Sequence, residues 1–153
     1  MMRAVATVLF ALIACASAAF AQAERPLVAS DLVGTWQGQW TSPSGHLYAT
    51  TLTLRVTPTG AAEGSFAWTL KRSPRPEEQG KLGMSGTEFV SGQANLAART
   101  LTLMGTRKDD PNNIIGLDRY RVVVSDDGRV MGGITENYGN WQGQILLSRR
   151  PSS

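Results

Sequence analysis

Hydrophobic and polar residues alternate with a period of two along several stretches of the chain. The clearest stretch is 47–57, where Leu52, Leu54 and Val56 fall on one side and threonines fall on the other. Residues two apart in a strand point the same way, so this pattern is typical of a half-buried antiparallel strand. Weaker alternation recurs along the chain, and the predicted strands are 35–41, 47–57, 62–71, 87–94, 100–106, 118–125, 129–137 and 141–149.

Turn signals separate the eight predicted strands. Asp127-Gly128 is the strongest of them, because Asp-Gly favours the hairpin turn that matches strand twist. Two longer polar segments, 71–86 and 107–117, contain prolines and are predicted to be loops, the first of them mobile. Apart from one helical turn near 30–33, no helix is predicted. Many short strands in consecutive hairpins predict an all-β protein with an antiparallel up-and-down order.

The tetrapeptide Trp-Gln-Gly-Gln occurs twice, at 36–39 and at 141–144. In a strand, each copy puts its Trp and Gly on one face and its two glutamines on the other. We interpret the copies as the first and last strands of a sheet that closes into an eight-stranded β-barrel, since pairing them removes both exposed edges. The residues predicted to face inward are Trp36, Gly38, Trp141 and Gly143, and those predicted to face outward are Gln37, Gln39, Gln142 and Gln144.

The first 21 residues have the pattern of a secretory signal peptide. Arg3 precedes an apolar stretch at 4–14, and an Ala-x-Ala cleavage motif ends at Ala21. The apolar stretch is shorter than the roughly 20 residues that a membrane span needs. We therefore predict a periplasmic or secreted protein, bacterial by its Ala-rich signal, without a membrane span. The alternative is a lipid anchor at Cys15, because 12–15 resembles a lipobox. The predicted organisation is signal peptide 1–21, lead-in 22–33, β-barrel domain 34–150 and tail 151–153.

Charge and cysteine content exclude several classes of function. Loss of Arg3 with the signal leaves 14 basic and 12 acidic residues, a net charge of +2. This charge is small and scattered, which argues against a nucleic-acid partner. Cys15 is the only cysteine, so the chain cleaved at 21 has no disulfide and no thiolate nucleophile. A hydrophobic core alone must hold the domain together.

Gly34-Thr35-Trp36 on the first predicted strand, with Arg149 and Arg150 after the last, resembles the calycin superfamily of lipocalins, fatty-acid-binding proteins and avidins. The chain looks more like one of the small secreted bacterial barrel families of unknown role than like an avidin or a typical lipocalin. The resemblance implies that a basic residue near the barrel's end, here Arg149 or Arg150, stacks across Trp36 and closes one end. We predict that Trp141 also contributes to the closure of the barrel. No biotin-binding residues match, so no biotin site is implied.

The polar residues predict no catalytic or metal centre. His46 is the only histidine, and it follows Ser44 and Gly45 in a turn, where we expect it to be exposed. A hydrolase built on His46 would need a serine and a carboxylate within hydrogen-bond distance, and no nucleophile-elbow motif is present. The adjacent acids, in loops and turns, are expected to face water. We predict no enzyme activity, no cofactor and no metal. Those acid pairs are Glu77-Glu78, Asp109-Asp110 and Asp126-Asp127.

Inward-facing aromatic residues predict the candidate site. Trp40, Trp68 and Tyr120 fall on inward positions, beside Gly38 and Gly143. The glycines either let the barrel coil tightly, with rings folded over them, or leave room for a ligand. We predict a non-enzymatic module that binds a small apolar or aromatic ligand at the barrel mouth, between the two long loops. The alternative is a protein-interaction or inhibitor module with a solid core. An interior cavity distinguishes the two hypotheses.

Overall fold

Eight antiparallel strands pair in sequence order in a computed structural model, and the eighth pairs with the first to close a barrel. This confirms the predicted fold class. The structure describes residues 25–137 and 139–149, so the predicted signal peptide, Cys15 and Arg150 lie outside the described residues. The elements are α1 (Ala29–Leu32), β1 (Gly34–Thr41), β2 (Leu47–Val56), β3 (Ala61–Arg72), a 3₁₀ helix (Pro76–Lys81), β4 (Ser85–Asn95), β5 (Thr100–Asp109), β6 (Arg119–Val124), β7 (Val130–Asn137) and β8 (Asn140–Ser148).

The two Trp-Gln-Gly-Gln segments lie on neighbouring strands, as predicted. Gln37 of β1 pairs with Ser148 of β8, and the pairing continues to Thr41 opposite Gln144. Gln39 and Gln144 are exposed on the outer face of this seam. The seam leaves neither β1 nor β8 with an unpaired edge.

Trp141 does not face inward, and this prediction is wrong. β7 and β8 shift register between Thr135 and Glu136, where Thr135 pairs with Gly143 but Glu136 pairs with Trp141. The extra residue, Gln142, reverses the alternation, as a β-bulge does. The Trp141 ring therefore lies on the outer surface, with the Arg121 guanidinium 4.3 Å from its centroid.

Four inward-facing glycines allow neighbouring strands to approach closely. A Cβ atom on Gly38 would lie 1.9 Å from the carbonyl oxygen of Leu146 on β8. The same collision with a neighbouring strand would occur at Gly64, Gly92 and Gly133, at 2.2, 1.9 and 1.9 Å. Glycine at such points lets a small barrel bend sharply. At Gly38 the structure therefore supports tight coiling rather than room for a ligand.

One end of the barrel is closed by α1. Leu32 is fully buried, and its carbonyl accepts a hydrogen bond from Trp36 Nε1 at 3.0 Å. The Arg149 guanidinium lies 4.9 Å from the centroid of the Trp36 ring and donates a hydrogen bond to the Val33 carbonyl. We call this the closed end. Buried aliphatic residues continue from it along the barrel axis, among them Leu52, Leu54, Leu101, Met131 and Leu147.

The segment predicted as a mobile loop, 71–86, is largely structured. β3 extends to Arg72, β4 begins at Ser85, and the 3₁₀ helix lies between them. Pro76 begins this helix, where a missing N–H carries no cost. The Gln79 amide donates to the Ser73 and Arg75 carbonyls at 2.9 and 3.0 Å, which fixes the turn before the helix.

Candidate functional site

A cavity of about 570 Å³ opens at the end of the barrel opposite α1, which we call the open end. Its volume is within the range of small-molecule sites. The 3₁₀ helix and the segment 110–118 flank it, and Lys81 Nζ donates to the Asn113 carbonyl at 3.2 Å, so the two long connections share this end. The structure places all three predicted ligand-binding residues in the cavity lining: Trp40, Trp68 and Tyr120.

Aromatic rings form one side of the cavity. Tyr48, which the sequence analysis did not single out, lies edge-on to Trp40 and to Trp68, with centroid distances of 5.6 and 6.1 Å. Its hydroxyl donates to the Ile114 carbonyl at 2.5 Å. Burial, followed by nearby Glu78, raises the pKa of Tyr48 to about 12. Tyr48 on β2 pairs with Trp40 on β1, and this pairing is the signal by which Tyr48 could have been predicted as a residue of the site.

Gly143 makes room for a side chain rather than for a ligand. A Cβ atom at this position would lie 2.3 Å from Trp40 Nε1 and 2.1 Å from Thr135 Oγ1. Those two atoms are hydrogen-bonded to each other at 2.7 Å. The Trp40 ring thus folds over the glycine, and its position in the cavity lining is fixed by β8 and β7.

Glu88 is the most unexpected residue of the site, because it is 1 % exposed inside the barrel. Its carboxylate accepts hydrogen bonds from the Tyr120 hydroxyl, from Trp68 Nε1 at 3.3 Å and from the Asp118 N–H at 2.8 Å. A Cβ atom on Gly105 of β5 would lie 2.1 Å from Glu88 Oε1, so the glycine leaves space for the carboxylate.

The sequence carried a signal for Glu88 that we did not use. Glu88 and Val90 alternate with outward residues on β4, which places an acid on the inward side of a strand. Phe89, between them, faces outward, where the Arg107 guanidinium lies 3.6 Å from its ring centroid. An acid on the inward face is rare unless it is paired or functional.

Two carboxyl groups in the cavity have raised pKa values. Burial raises the pKa of Glu88 to about 7, against the hydrogen bonds from Tyr120, Asp118 and Trp68. Burial likewise raises the pKa of Asp118 to about 6, against one hydrogen bond from Asn137 Nδ2. Desolvation disfavours the charged form of an acid, and the two carboxylates also repel each other. Burial raises the pKa of Tyr120 well above its usual range, so its phenol remains neutral.

His46 is buried, not exposed as we predicted. The turn that contains it folds toward the 3₁₀ helix, and the imidazole lies between Ser44 and Glu78. Ser44 Oγ is 3.2 Å from Nδ1, and Glu78 Oε2 is 3.0 Å from Nε2. A serine and a carboxylate are therefore within hydrogen-bond distance of the imidazole.

Two of the acids that we expected to face water are mostly enclosed. Glu78 accepts hydrogen bonds from Ser73 Oγ at 2.5 Å and from Arg75 Nη1 at 3.2 Å. Burial alone would raise the pKa of Glu78, but hydrogen bonds from Ser73 and His46 hold it below its usual value. The Asp110 carboxylate accepts from the backbone N–H groups of Ile114 and Ile115 and fixes the loop.

In the part of the chain that the structure describes, no group of three or more His, Cys, Asp or Glu residues is placed to hold a metal ion. Within 25–137 and 139–149, no helix has the length and apolar character needed to cross a membrane. The cavity lining itself offers aromatic surface, hydroxyl, amide and imidazole groups, four carboxylates and two basic side chains.

Comparisons with known proteins show the fold. No family model matches the chain, and no curated protein matches it. Two solved structures of redesigned β-barrels do: mFAP1 bound to DFHBI has a TM-score of 0.60 at 15% identity, covering 80% of this chain and 98% of that chain. For mFAP0 bound to DFHBI the TM-score is 0.57 at 15% identity, with coverage of 78% and 99%. Both structures hold a small aromatic dye, and both are barrels like this one.

Proposed function

We propose that this protein is a non-enzymatic binding module for a small aromatic ligand, held in the cavity at the open end of the barrel. The observation that carries the proposal is the cavity itself, about 570 Å³ and lined by Trp40, Tyr48 and Trp68. Aromatic rings supply apolar contact area and specific edge or face contacts to a planar ligand. The dye-bound barrels of similar fold support the proposal by showing that this architecture holds an aromatic molecule.

We also propose that the protein is calycin-like and acts in the periplasm or outside the cell. The basis for the compartment is the N-terminal pattern that ends at Ala21, and the basis for the calycin resemblance is Gly34-Thr35-Trp36 with Arg149. A cavity of this size argues against the alternative of a solid-cored interaction or inhibitor module. Detection of the mature protein in the periplasmic or medium fraction, with its N-terminus at Gln22, tests the compartment.

Nuclear magnetic resonance of the indole N–H groups tests the proposed site. The chain has four tryptophans, of which Trp40 and Trp68 line the cavity, whereas Trp36 is buried at the closed end and Trp141 lies outside. On titration of nitrogen-15-labelled protein with DFHBI as a first probe, we expect the Trp40 and Trp68 signals to shift. Shifts confined to Trp141 would place binding on the outer surface and contradict the proposal.

A matched pair of variants sharpens this test. Trp40→Leu removes aromatic surface from the cavity, and Trp141→Leu removes the same side chain from the outer surface. We expect Trp40→Leu to weaken binding of the probe about tenfold or more, since a stacked aromatic contact contributes about 0.5–1.5 kcal/mol beyond its buried area. Trp141→Leu should bind as the wild type does. Equal affinities for the two variants would contradict the proposed site.

We infer that the Ser44, His46 and Glu78 cluster holds the open end together and is not catalytic. Ser44 is in the same turn as His46, and its hydroxyl is hydrogen-bonded to Ser42 Oγ at 2.8 Å. The backbone N–H of His46 also donates to Ser42 Oγ, so these hydroxyls shape the turn. We expect no hydrolysis of an activated ester above the buffer rate. Hydrolysis that is present in the wild type and lost in Ser44→Ala would overturn this inference.

A further inference from the structure

The cavity is acidic although the protein is basic. The whole chain has 15 basic and 12 acidic residues, but the cavity lining contains four carboxylates and two basic side chains. Both basic groups, Arg75 and Lys81, belong to the 3₁₀ helix and its first flanking residue, at the rim. Glu88 and Asp118 lie deeper, and among the described residues neither forms a salt bridge.

Asp118 has an oxygen that is available to a ligand. Its side chain lines the cavity, and the residue is 8 % exposed. Asn137 Nδ2 donates to Oδ1, whereas Oδ2 accepts no hydrogen bond from the residues that the structure describes. Among the described residues no buried side-chain oxygen lacks a partner, so Oδ2 is accessible from the cavity, where a ligand can supply a donor.

Glu88 adds a second negative charge close to this oxygen. The two residues are joined by the hydrogen bond from the Asp118 N–H to Glu88 Oε1. Burial is the main cause of the raised pKa of Glu88, and the charge of Asp118 adds to it by a smaller amount. Two buried anions without a cation are unstable as a pair, and the energetic remedy is protonation or a positive charge between them. The aromatic rings of Trp40, Tyr48 and Trp68 line the same cavity, and their faces attract cations.

We infer that the ligand of this cavity carries a protonated amine on a short alkyl chain attached to an aromatic ring, with the ammonium group bound by Asp118 and Glu88 and the ring against Trp40, Tyr48 and Trp68. This inference rests on the proposed function and names its ligand class. An ammonium group has three N–H donors, of which one can bond Asp118 Oδ2. The charge of the bound amine holds both carboxyl groups in their ionised form.

Calorimetric titration with three matched probes at pH 7.5 tests the charge preference. The probes are 2-(2-naphthyl)ethylamine, 2-(2-naphthyl)ethanol and 2-naphthylacetate, which share one ring system and differ in charge. We expect the amine to bind at least about tenfold more tightly than the alcohol, because a hydrogen bond to a charged group contributes about 1.5–3 kcal/mol. The acetate should bind most weakly.

The three probes separate the failure of this inference from failure of the proposed function. If the alcohol or the acetate binds as tightly as the amine, the ammonium site is wrong while the aromatic binding site stands. If none of the three binds, the proposed function is wrong and the inference falls with it.

Asp118→Asn tests the position of the charge contact. The substitution removes a charge and keeps the shape of the side chain, so we expect it to reduce the affinity for the amine to that for the alcohol, about tenfold. The affinity for the alcohol should not change. Glu63→Gln, at an exposed site on β3, is the control and should bind both probes as the wild type does. An unchanged preference for the amine in Asp118→Asn would overturn the inference.

The pH dependence of the wild type supplies a test that needs no variant. Since burial raises the pKa of Asp118 to about 6 and that of Glu88 to about 7, both carboxyls lose their charge as the pH falls from 8 to 5. We therefore expect the affinity for the amine to fall about tenfold or more over this range, while the amine itself stays protonated. A flat profile for the amine would overturn the inference.

The other titratable groups around Glu88 and Asp118 are not expected to cause the fall in affinity for the amine between pH 8 and pH 5. Tyr48 and Tyr120 stay neutral, because burial raises the pKa of each phenol. Glu78 and Asp110 stay ionised above pH 5, because the pKa of each is lowered. His46 also lines the cavity, and Arg75 and Lys81 lie at its rim. The alcohol probe, measured over the same pH range, reports any effect of these groups that does not depend on ligand charge.

Discussion

The two ends of this barrel are built from different chemistry. At the closed end, α1 and Trp36 form an apolar plug in which Leu32 and Trp36 are fully buried. At the open end, the same strands surround a cavity, and the interior holds Glu88, Asp118 and partly exposed aromatic rings. Both ends belong to one closed sheet with a continuous backbone. The inward side chains pack together at the closed end and line a cavity at the open end.

The difference teaches where the stability of the fold comes from. Burial of apolar surface at the closed end stabilises the barrel by roughly 25 cal/mol per Å² removed from water. At the open end, buried acids and a cavity that side chains do not fill lower the stability of the same sheet. A protein that binds a ligand can tolerate such a site when another part of the core compensates for it.

Truncation of one tryptophan at each end tests the comparison most severely. Trp36→Ala should lower the free energy of unfolding by about 3–5 kcal/mol, because the ring is fully buried and α1 docks on it. Trp40→Ala should cost less than about 2 kcal/mol, because its ring is only partly buried and water can enter the cavity. Urea denaturation measures both values. Equal losses would show that the open end contributes as much stability as the closed end.

The pH dependence of stability tests the open end alone. A carboxyl whose pKa is raised by folding stabilises the folded state below its ordinary pKa, and the contribution is lost as the pH rises through the raised value. For Glu88, raised from 4.5 to about 7, the loss is on the order of 3 kcal/mol between pH 4.5 and 8. Asp118 acts in the same direction. We expect the melting temperature to be higher at pH 5 than at pH 8.

Glu88→Gln should reduce this pH dependence, because the variant has no proton to lose at position 88. Glu63→Gln, whose acid is exposed on β3, should retain the wild-type pH dependence. The melting curves of the three proteins at pH 5 and pH 8 supply the comparison. An identical pH dependence in Glu88→Gln would mean that the carboxyl is not the group responsible.

The smallest expected effect distinguishes the two arginine–tryptophan contacts. Arg149 covers buried Trp36 at the closed end, and Arg121 covers Trp141 on the outer surface. Arg149→Met should cost about 1–2 kcal/mol, since it removes a cation–π contact at a desolvated ring, whereas Arg121→Met should cost less than about 1 kcal/mol. Denaturation by urea measures both. A larger loss in Arg121→Met would contradict the view that closure depends on Arg149.

Local alternation was enough to predict the barrel but not the contents of its open end. Leu52 and Leu54 on β2 show their period of two in the sequence, and the repeated tetrapeptide indicated the seam. Trp141 was misplaced because a bulge at Gln142 depends on the register of β7 against β8, which the sequence of one strand does not state. Burial of His46 depends on Glu78, 32 residues away in the chain.

Glu88 illustrates a different limit. Its alternation with Val90 indicates an inward position, but glutamate is depleted in strands and an acid on an inward face is rare. The groups that make its burial possible come from three other strands: Trp68 on β3, Gly105 on β5 and Tyr120 on β6. Only closure of the barrel brings these residues together.

The inward glycines have a consequence for how such a protein can change over generations. At Gly38, Gly64, Gly92 and Gly133 the neighbouring backbone occupies the place of a side chain, so these positions specify curvature, and none of them lines the cavity. The residues that line the cavity are a separate set. Curvature and ligand preference can therefore vary independently. Substitutions in the cavity lining can change which ligand binds while the backbone of the barrel stays the same.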